Sequence, residues 1–431
     1  MMHNAPREDG TPSGGERRRL LVLSQTLPYP PDGGVQLRTF NVLRLLAREF
    51  RVTALCCYRR STHPSIARAT EAVEAICRTT GAEVEAFPIP QEHSRMRWIR
   101  DHATSVLRAR PYTVPAYQSA AFERRLHQLL RTRDFDLVHL DSLDLSGYLP
   151  LPPESPPVVC AHHNVESILL RRRADSHSSA LVRGYFRLQA RLLEREERRW
   201  ASAVALNTAV SPGDRDELLR IAPLARCIVV PNGVDTDYFA PARRTAGEGI
   251  VFVGGYGWHP NRDALEYFCT SILPLLRSKG CDAPVRWAGR APDQVRREYA
   301  DRYDIELTGY LPDIRPMVQE AHCFVAPLRI GGGTRLKILD AWAMGKAVVS
   351  TSIGCEGLAI RDGENIIVRD TPESFAQAVC TVLQDGPLRT RLGAAARRTA
   401  ETLYNWDIIG SAMIRHYHSV MQQVGVRSPE H

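Results

Sequence analysis

Lysine is nearly missing from this chain. Only Lys279, Lys337 and Lys346 interrupt a set of 56 basic residues that is otherwise arginine. So uniform a skew reads as a compositional bias, and the formal net charge of +8 is then weak ground for a nucleic-acid partner. The triplets Arg17-Arg18-Arg19 and Arg171-Arg172-Arg173 also lack interleaved aromatics, which argues against nucleic acid. The charge remains compatible with peripheral contact with a membrane surface. Long apolar runs are absent too: the longest are strand-length, far short of the ~18 residues of a membrane span. Residues 1–17 are polar, with no apolar signal core. They predict a disordered tail on a cytoplasmic protein, one that meets the inner face of the membrane if it meets a membrane at all. No C-x-x-C pair occurs among the ten cysteines, which predicts reduced structural thiols. Neither G-x-x-x-x-G-K-[ST] nor G-x-S-x-G occurs, which disfavours a P-loop NTPase and an α/β-hydrolase.

What is present is alternation. At 431 residues the chain is long enough for two domains of about 200 residues. Short apolar runs at Leu20–Ser24, Val52–Cys57, Val84–Pro88, Leu137–Leu140, Val158–Ala161 and Ala203–Leu206 predict strands. Helical periodicity separates the earlier ones, at Gln36–Phe50, Ser65–Arg78, Arg95–Arg108 and Ala120–Arg131. Such βα units argue for a parallel sheet covered on both faces. After a Pro-, Ala-, Arg- and Gly-rich stretch the pattern restarts with strands at Ile250–Val253, Val285–Ala288, Ile305–Thr308, Cys323–Ala326, Ala347–Thr351 and Ile366–Val368. The helical run Arg262–Arg277 follows the first of these. This predicts a first domain over 18–235, a linker over 236–249, a second domain over 250–404 and a C-terminal helix over 405–424.

Chemistry should concentrate at the carboxyl ends of such strands. The strongest signal is Gly331-Gly332-Gly333-Thr334-Arg335-Leu336-Lys337, between a strand and a helix. A strand-to-helix junction offers free N–H groups and the positive end of a helix dipole, both suited to a phosphate. Thr334 is an expected N-cap, Arg335 and Lys337 are expected cations for the anion, and Asp340 lies on the same side three residues on, able to accept from a ribose. A flexible glycine turn before a core helix is the plainer alternative. Gly33 and Gly34 follow the first strand and Gly255 the first strand of the second half; each would let backbone approach a ligand. His163, in Ala161-His162-His163-Asn164-Val165-Glu166, stands at another strand end, as a polarising group or a satisfied structural histidine. No third ligand accompanies the histidine pair at helical spacing, so no metal is expected. Two D-x-D pairs, Asp134/Asp136 and Asp235/Asp237, read as structural. Gly254–Trp258 lacks the full G-x-G-x-x-G spacing and the acidic partner of a dehydrogenase.

These segments together resemble the retaining glycosyltransferases of family 4. The matching pieces are Pro30-Pro31-Asp32-Gly33-Gly34, His163-Asn164-Val165-Glu166, Pro231-Asn232-Gly233-Val234-Asp235, Pro327 through Thr351, and Gly354-Cys355-Glu356-Gly357. The resemblance implies an α/β chain of the GT-B fold, two Rossmann-like α/β/α domains whose parallel sheets face a central cleft. It implies that the C-terminal helix crosses back to the first domain. It also implies a nucleoside diphosphate sugar as donor, no cofactor or metal, and a glycan, lipid-linked or small-molecule acceptor bound by the first domain. The family's two signature glutamates fall here at Gly332 and Asp340. The usual cations of the loop after the first strand of the second domain are missing between Gly254 and Asn261. By this resemblance Asp340 binds the ribose, backbone N–H groups of Gly331 to Thr334 replace the first glutamate, and Arg335 and Lys337 take the diphosphate. His163 then orients the reacting sugar. A sugar-nucleotide epimerase on the same architecture would need cleft carboxylates, of which the sequence offers no convincing set. A binder without catalysis is the remaining alternative.

Overall fold

The computed structural model describes residues 17–175, 177–242, 247–331 and 335–425. The expected N-terminal tail before Arg17, part of the expected linker, and Gly332, Gly333 and Thr334 lie outside the described residues.

Two parallel sheets form. The first contains β1 (Arg19–Ser24), β2 (Arg51–Tyr58), β3 (Glu83–Pro88), β4 (Leu137–Leu140), β5 (Val158–His162), β6 (Leu206–Ala209) and β7 (Cys227–Val229), in the order 3-2-1-4-5-6-7. The second contains β8 (Ile250–Val253), β9 (Val285–Ala288), β10 (Glu306–Gly309), β11 (Cys323–Ala326), β12 (Ala347–Ser350) and β13 (Ile367–Val368), in the order 10-9-8-11-12-13. Each strand order reverses at the sheet's first strand, so crevices open beyond β1/β4 and β8/β11, the places where open α/β sheets bind ligands. The strands bury both faces under helices, which is why β1 reads as the near-continuous run Arg-Leu-Leu-Val-Leu-Ser.

The chain then returns. Helix Trp406–Gly425 seats Trp406, Ile409, Met413, Tyr417, Val420 and Met421 in the core of the first half, among Leu20, Val22, Leu45 and Phe50. Two glycines permit the fit. A Cβ on Gly233 would lie 2.6 Å from the Trp406 ring, and one on Gly410 would lie 2.6 Å from Leu45. At the crossover, Val234 N–H donates to Tyr404 O at 2.7 Å. Arg397 donates to the Thr236 and Phe239 carbonyls, so residues just after Asp235 already pack on the second half.

Several expectations are corrected. The strand expected at Ala203–Leu206 begins only at Leu206, because helix Ala180–Ala203, held by buried Trp200 and Ala201, ends only at Ala203 and the chain turns through Val204 and Ala205. The strand that does form buries Asn207 and Thr208, and Asn207 is satisfied by His162, Ala201 and Arg226. The helix expected at Arg262–Arg277 starts earlier, at His259, and passes through a π-helical turn at Phe268–Ile272. Helices Glu166–Asp175, Pro212–Ile221 and Asp293–Tyr303 were not expected; the last packs on the core through the half-buried Val295, Tyr299 and Tyr303, a stripe at helical spacing that the sequence reading passed over. Cys281 and Cys380 are disulfide-bonded, in contrast to the expected reduced thiols, and their separation of 99 residues leaves no spacing signature. The other eight cysteines are free.

Trp406→Ala removes the largest side chain that pins the returning helix. Urea unfolding should show a loss of about 3–5 kcal/mol. A loss below ~1 kcal/mol would show that this helix does not anchor the first half.

Candidate functional site between the two halves

The first residues of two helices meet across the cleft. Helix Gly34–Glu49 begins after β1, with Gly33 as an N-cap that supplies no side-chain hydrogen bond. Helix Leu336–Ala343 begins after β11. A Cβ on Gly34 would sit 3.5 Å from Leu336 Cδ1. The positive ends of both dipoles therefore approach one point.

Arg335 immediately precedes the second helix and makes no side-chain capping bond; the expected N-cap Thr334 lies outside the described residues. Arg335 is buried beside Gly331, and its Nε and Nη2 both lie 3.3 Å from Ile353 O. Gly331 has φ +135°, and a Cβ there would come within 2.8 Å of Arg335 Nη2, so only glycine fits. Burial pulls the Arg335 pKa down. Lys337 turns toward the loop that lacks cations. Its Nζ donates to Asn261 Oδ1 at 2.7 Å and stands 4.1 Å from the Phe252 ring centroid. Asn261 in turn donates to Gly255 O at 3.0 Å. Burial, then the charge of Arg335, push the Lys337 pKa well below its ordinary value. Asp340 is half-buried and its carboxyl has no hydrogen-bond partner among the described residues; burial lifts that carboxyl to about 7. Gly255 has only ordinary contact with the Arg290 backbone.

On the first-domain side, His163 Nε2 lies 2.7 Å from Asp141 O and 3.4 Å from Asp141 Oδ1. Asp141 follows β4 and is almost fully buried. Its Oδ2 accepts from Ser24 Oγ at 2.9 Å and Thr39 Oγ1 at 2.7 Å. His139 Nε2 lies 3.6 Å from its Oδ1, while His139 Nδ1 lies 2.8 Å from the Tyr417 hydroxyl of the returning helix. Burial opposes the Asp141 charge, but His163 and His139 outweigh it and hold the carboxyl well below the usual range. Buried Arg38 adds a balancing charge and donates to Val230 O, Pro231 O and Asn232 Oδ1. Near His163, burial and then the charge of Asp144 raise Glu166 to about 7; burial raises Asp144 as well, opposed by Arg59. A cavity of about 510 Å³ continues past His163, with Asn164, Ile168 and Asp214 on one side and Glu356 and Gly357 of the second half on the other. Arg172 pairs with Glu356 at 3.0 Å across it.

The expected site residues His163, Gly33, Gly34, Gly255, Gly331, Arg335, Lys337 and Asp340 all stand at carboxyl ends of strands or on the helices that follow. Gly332, Gly333 and Thr334 lie outside the described residues. Asp141, Arg38, Arg59, Asp144 and Asn261 were missed. Asp141 stands directly beyond a strand, the signal that singled out His163, so it could have been found. The carboxyls Asp144 and Glu166 also form the kind of set that the sequence did not reveal. Both D-x-D pairs serve the backbone: Asp136 accepts from Arg19 N–H, and Asp235 from the N–H groups of Asp237 and Tyr238. Among the described residues no group of three His, Cys, Asp or Glu side chains could hold a metal ion, and no helix is long and apolar enough to cross a membrane.

Comparison with known proteins bears on the fold and the class of enzyme. Residues 32–238 match Glycosyltransferase Family 4, and residues 247–385 match Glycosyl transferases group 1. The chain is 27% identical over 208 residues to phosphatidyl-myo-inositol mannosyltransferase of Mycobacterium tuberculosis, a match covering 45% of this chain and 54% of that protein. It is 27% identical over 227 residues to D-inositol 3-phosphate glycosyltransferase of Geodermatophilus obscurus, covering 47% and 49%. The chain thus spans about half the length of these curated relatives. In structure it resembles Anabaena Alr3699/HepE in complex with UDP, with a TM-score of 0.64 at 14% identity over 93% of this chain and 100% of that one. The fold is that of the GT-B glycosyltransferases.

The buried carboxyls should act on stability in opposite directions. Asp141, depressed on folding, contributes stability that is present above its unfolded pKa of about 4 and is lost as pH falls through its lower folded value. Asp340, raised on folding, costs stability as pH rises from about 4 through 7. Urea titrations between pH 5 and 8 should therefore show Asp340→Asn gaining on the parent as pH rises. Asp141→Asn should lose about 3–5 kcal/mol near pH 7, because Arg38 keeps a buried charge without its counter-ion. Parallel curves for Asp340→Asn and parent would contradict the burial of that carboxyl.

Proposed function

We propose that this chain, a member of the GT-B glycosyltransferases by its fold and by both matched regions, moves a sugar from a nucleoside diphosphate sugar to an acceptor hydroxyl. The reading rests on one observation: two helix N-termini meet at Gly34 and Leu336, with Lys337 one residue further on. Converging N–H groups and a cation that is costly to bury form a receptor for a diphosphate. A bound diphosphate would favour the charged form of Lys337, which burial disfavours. As the sugar departs, negative charge grows on that phosphate, and donors already in place stabilise it without reorganisation.

The parts then take roles. Lys337, tied to Asn261, brings an ammonium to the β8 loop that has none of its own, and so takes the place of the cations usual there. Arg335 supports the diphosphate from beside Gly331. The unpartnered Asp340 accepts from the donor ribose, and Gly33, Gly34 and Gly255 leave room for backbone approach. His163, oriented by Asp141, faces the reacting sugar. The acceptor proton passes to the departing phosphate oxygen, so no separate protein base is required, and transfer proceeds with retention and without a metal. Asp144, Glu166 and Arg59 are assigned to the acceptor side, where Glu166, raised to about 7, can accept from or, when protonated, donate to hydroxyls. Relatives named for inositol-containing acceptors support a polyhydroxylated acceptor, and a neighbour bound to UDP makes UDP-sugars the first donors to test.

Release of nucleoside diphosphate from a panel of nucleotide sugars and polyol acceptors tests this. Lys337→Ala should lower turnover roughly 100-fold, and a chelator should leave the parent's turnover unchanged. Anomeric NMR signals of the product should match those of the donor. Near-normal turnover in Lys337→Ala would remove its assigned role. Tight nucleotide binding without release would favour a binder, and sugar conversion with the nucleotide still attached would favour an epimerase.

A further inference from the structure

A second cavity opens at the end of the second sheet away from the cleft. Strands β11 and β12 begin at Cys323 and Ala347, and a hollow of about 330 Å³ lies beside those amino ends. Its far wall is one face of helix Gly386–Leu403, which contributes Arg389, Thr390 and Arg397. Lys346, one of only three lysines in the chain, and His322 enter from the strand side. None of the described residues that line the hollow is acidic. Nor are these cations neutralised by ion pairs. Among the described residues Lys346 and Arg389 pair with no carboxylate, and Arg397 meets Glu401 only through Nε. Lys346 Nζ donates to the Gln319 and Ala321 carbonyls, and Arg389 Nη1 to Val382 O at 2.8 Å and Leu383 O at 3.2 Å. Those bonds leave one Lys346 N–H and the Nε and Nη2 groups of Arg389 for a ligand. Burial and then Arg389 lower the Lys346 pKa to about 8. Burial, Arg389 and Lys346 lower that of His322, against an opposing Glu248. The positive groups thus disfavour one another's charge, and an anion among them would favour the charged forms.

We propose that this cavity is a second anion site, one that takes the phosphate group of a small phosphorylated metabolite. Size and lining select that class. The volume is at the small end of ligand pockets. Arginine forks and a compact ammonium suit phosphate oxygens, and Pro241 and Ala394 leave an apolar wall for a short carbon skeleton. The site also borders the crossover between the halves. Arg397 Nη1 donates to Thr236 O and Phe239 O, each at 2.9 Å, and Pro241 belongs to the same segment. An anion that recruits Arg397 therefore acts on the segment that joins the two halves. The inference does not depend on the transfer chemistry.

Hydrogen exchange of the full chain with ribose 5-phosphate, at constant ionic strength, tests it. Amides of residues 319–323, 345–348 and 386–400 should exchange more slowly with ribose 5-phosphate and stay unchanged with ribose. Thr390 is exposed, so Thr390→Glu should keep the parent's thermal midpoint while its carboxylate engages the cations. Half-saturation should then need at least roughly tenfold more ligand. Thr390→Gln, of the same size but neutral, should bind as the parent does. Slowing confined to residues 33–38 and 335–340 would put the phosphate in the cleft alone and overturn the proposal. No slowing in the parent, or equal slowing by ribose, would overturn it whether or not the variants fold. So would Thr390→Glu binding as tightly as the parent.

Discussion

A buried carboxylate organises the first half. Asp141 sits beyond β4 where its oxygens collect Ser24 from the end of β1 and Thr39 from the helix after it. It is also backed by His163 from beyond β5, and by His139, which reaches the returning helix through Tyr417. Burying such a charge is costly unless every lone pair finds a partner. Here the partners come from segments spread over nearly the whole chain, so the charge can be satisfied only when those segments are all in place. The penalty thereby becomes a constraint on position, and the side chain it positions most directly is His163.

The second half is poised in the opposite sense. Arg335 and Lys337 are positive groups held where burial disfavours their charge, next to two uncapped helix N-termini. An anion bound there would favour both charged forms. The negative network under His163 and the positive site around Lys337 thus lie on opposite walls of one cleft. The proposed donor, a sugar joined to a diphosphate, would set its neutral and anionic ends against those two walls. The ion pair Arg172–Glu356 and the contact of Gly34 with Leu336 join the walls, so the two halves meet at the place where the chemistry is expected.

Most of the scaffold was legible because parallel strands buried on both faces must be apolar throughout. β4, β8, β9 and β11 appear where the apolar runs predict them, to the residue. The failures share a cause. β6 is built on the polar residues Asn207 and Thr208, and helix Asp293–Tyr303 buries no residue fully, its apolar side being the half-buried Val295, Tyr299 and Tyr303. Arg335 illustrates the same limit within the site. Its type announced an anion ligand, yet its guanidinium also lies against the Ile353 carbonyl, and Lys337 is the side chain that reaches the β8 loop.

By itself, then, the sequence determined the two α/β halves, the strand ends where polar residues collect, and the glycine junction ahead of Lys337. Those features follow from local periodicity and from residue types that tolerate few alternatives. Only the tertiary structure decided that Asp141 carries a compensated charge beneath His163, that Lys337 reaches Asn261 across 76 residues of chain, and that Lys346, Arg389 and Arg397 line one cavity. Each depends on which groups share a low-dielectric space or are left facing water, and burial is a property of the packed chain, not of any window along it.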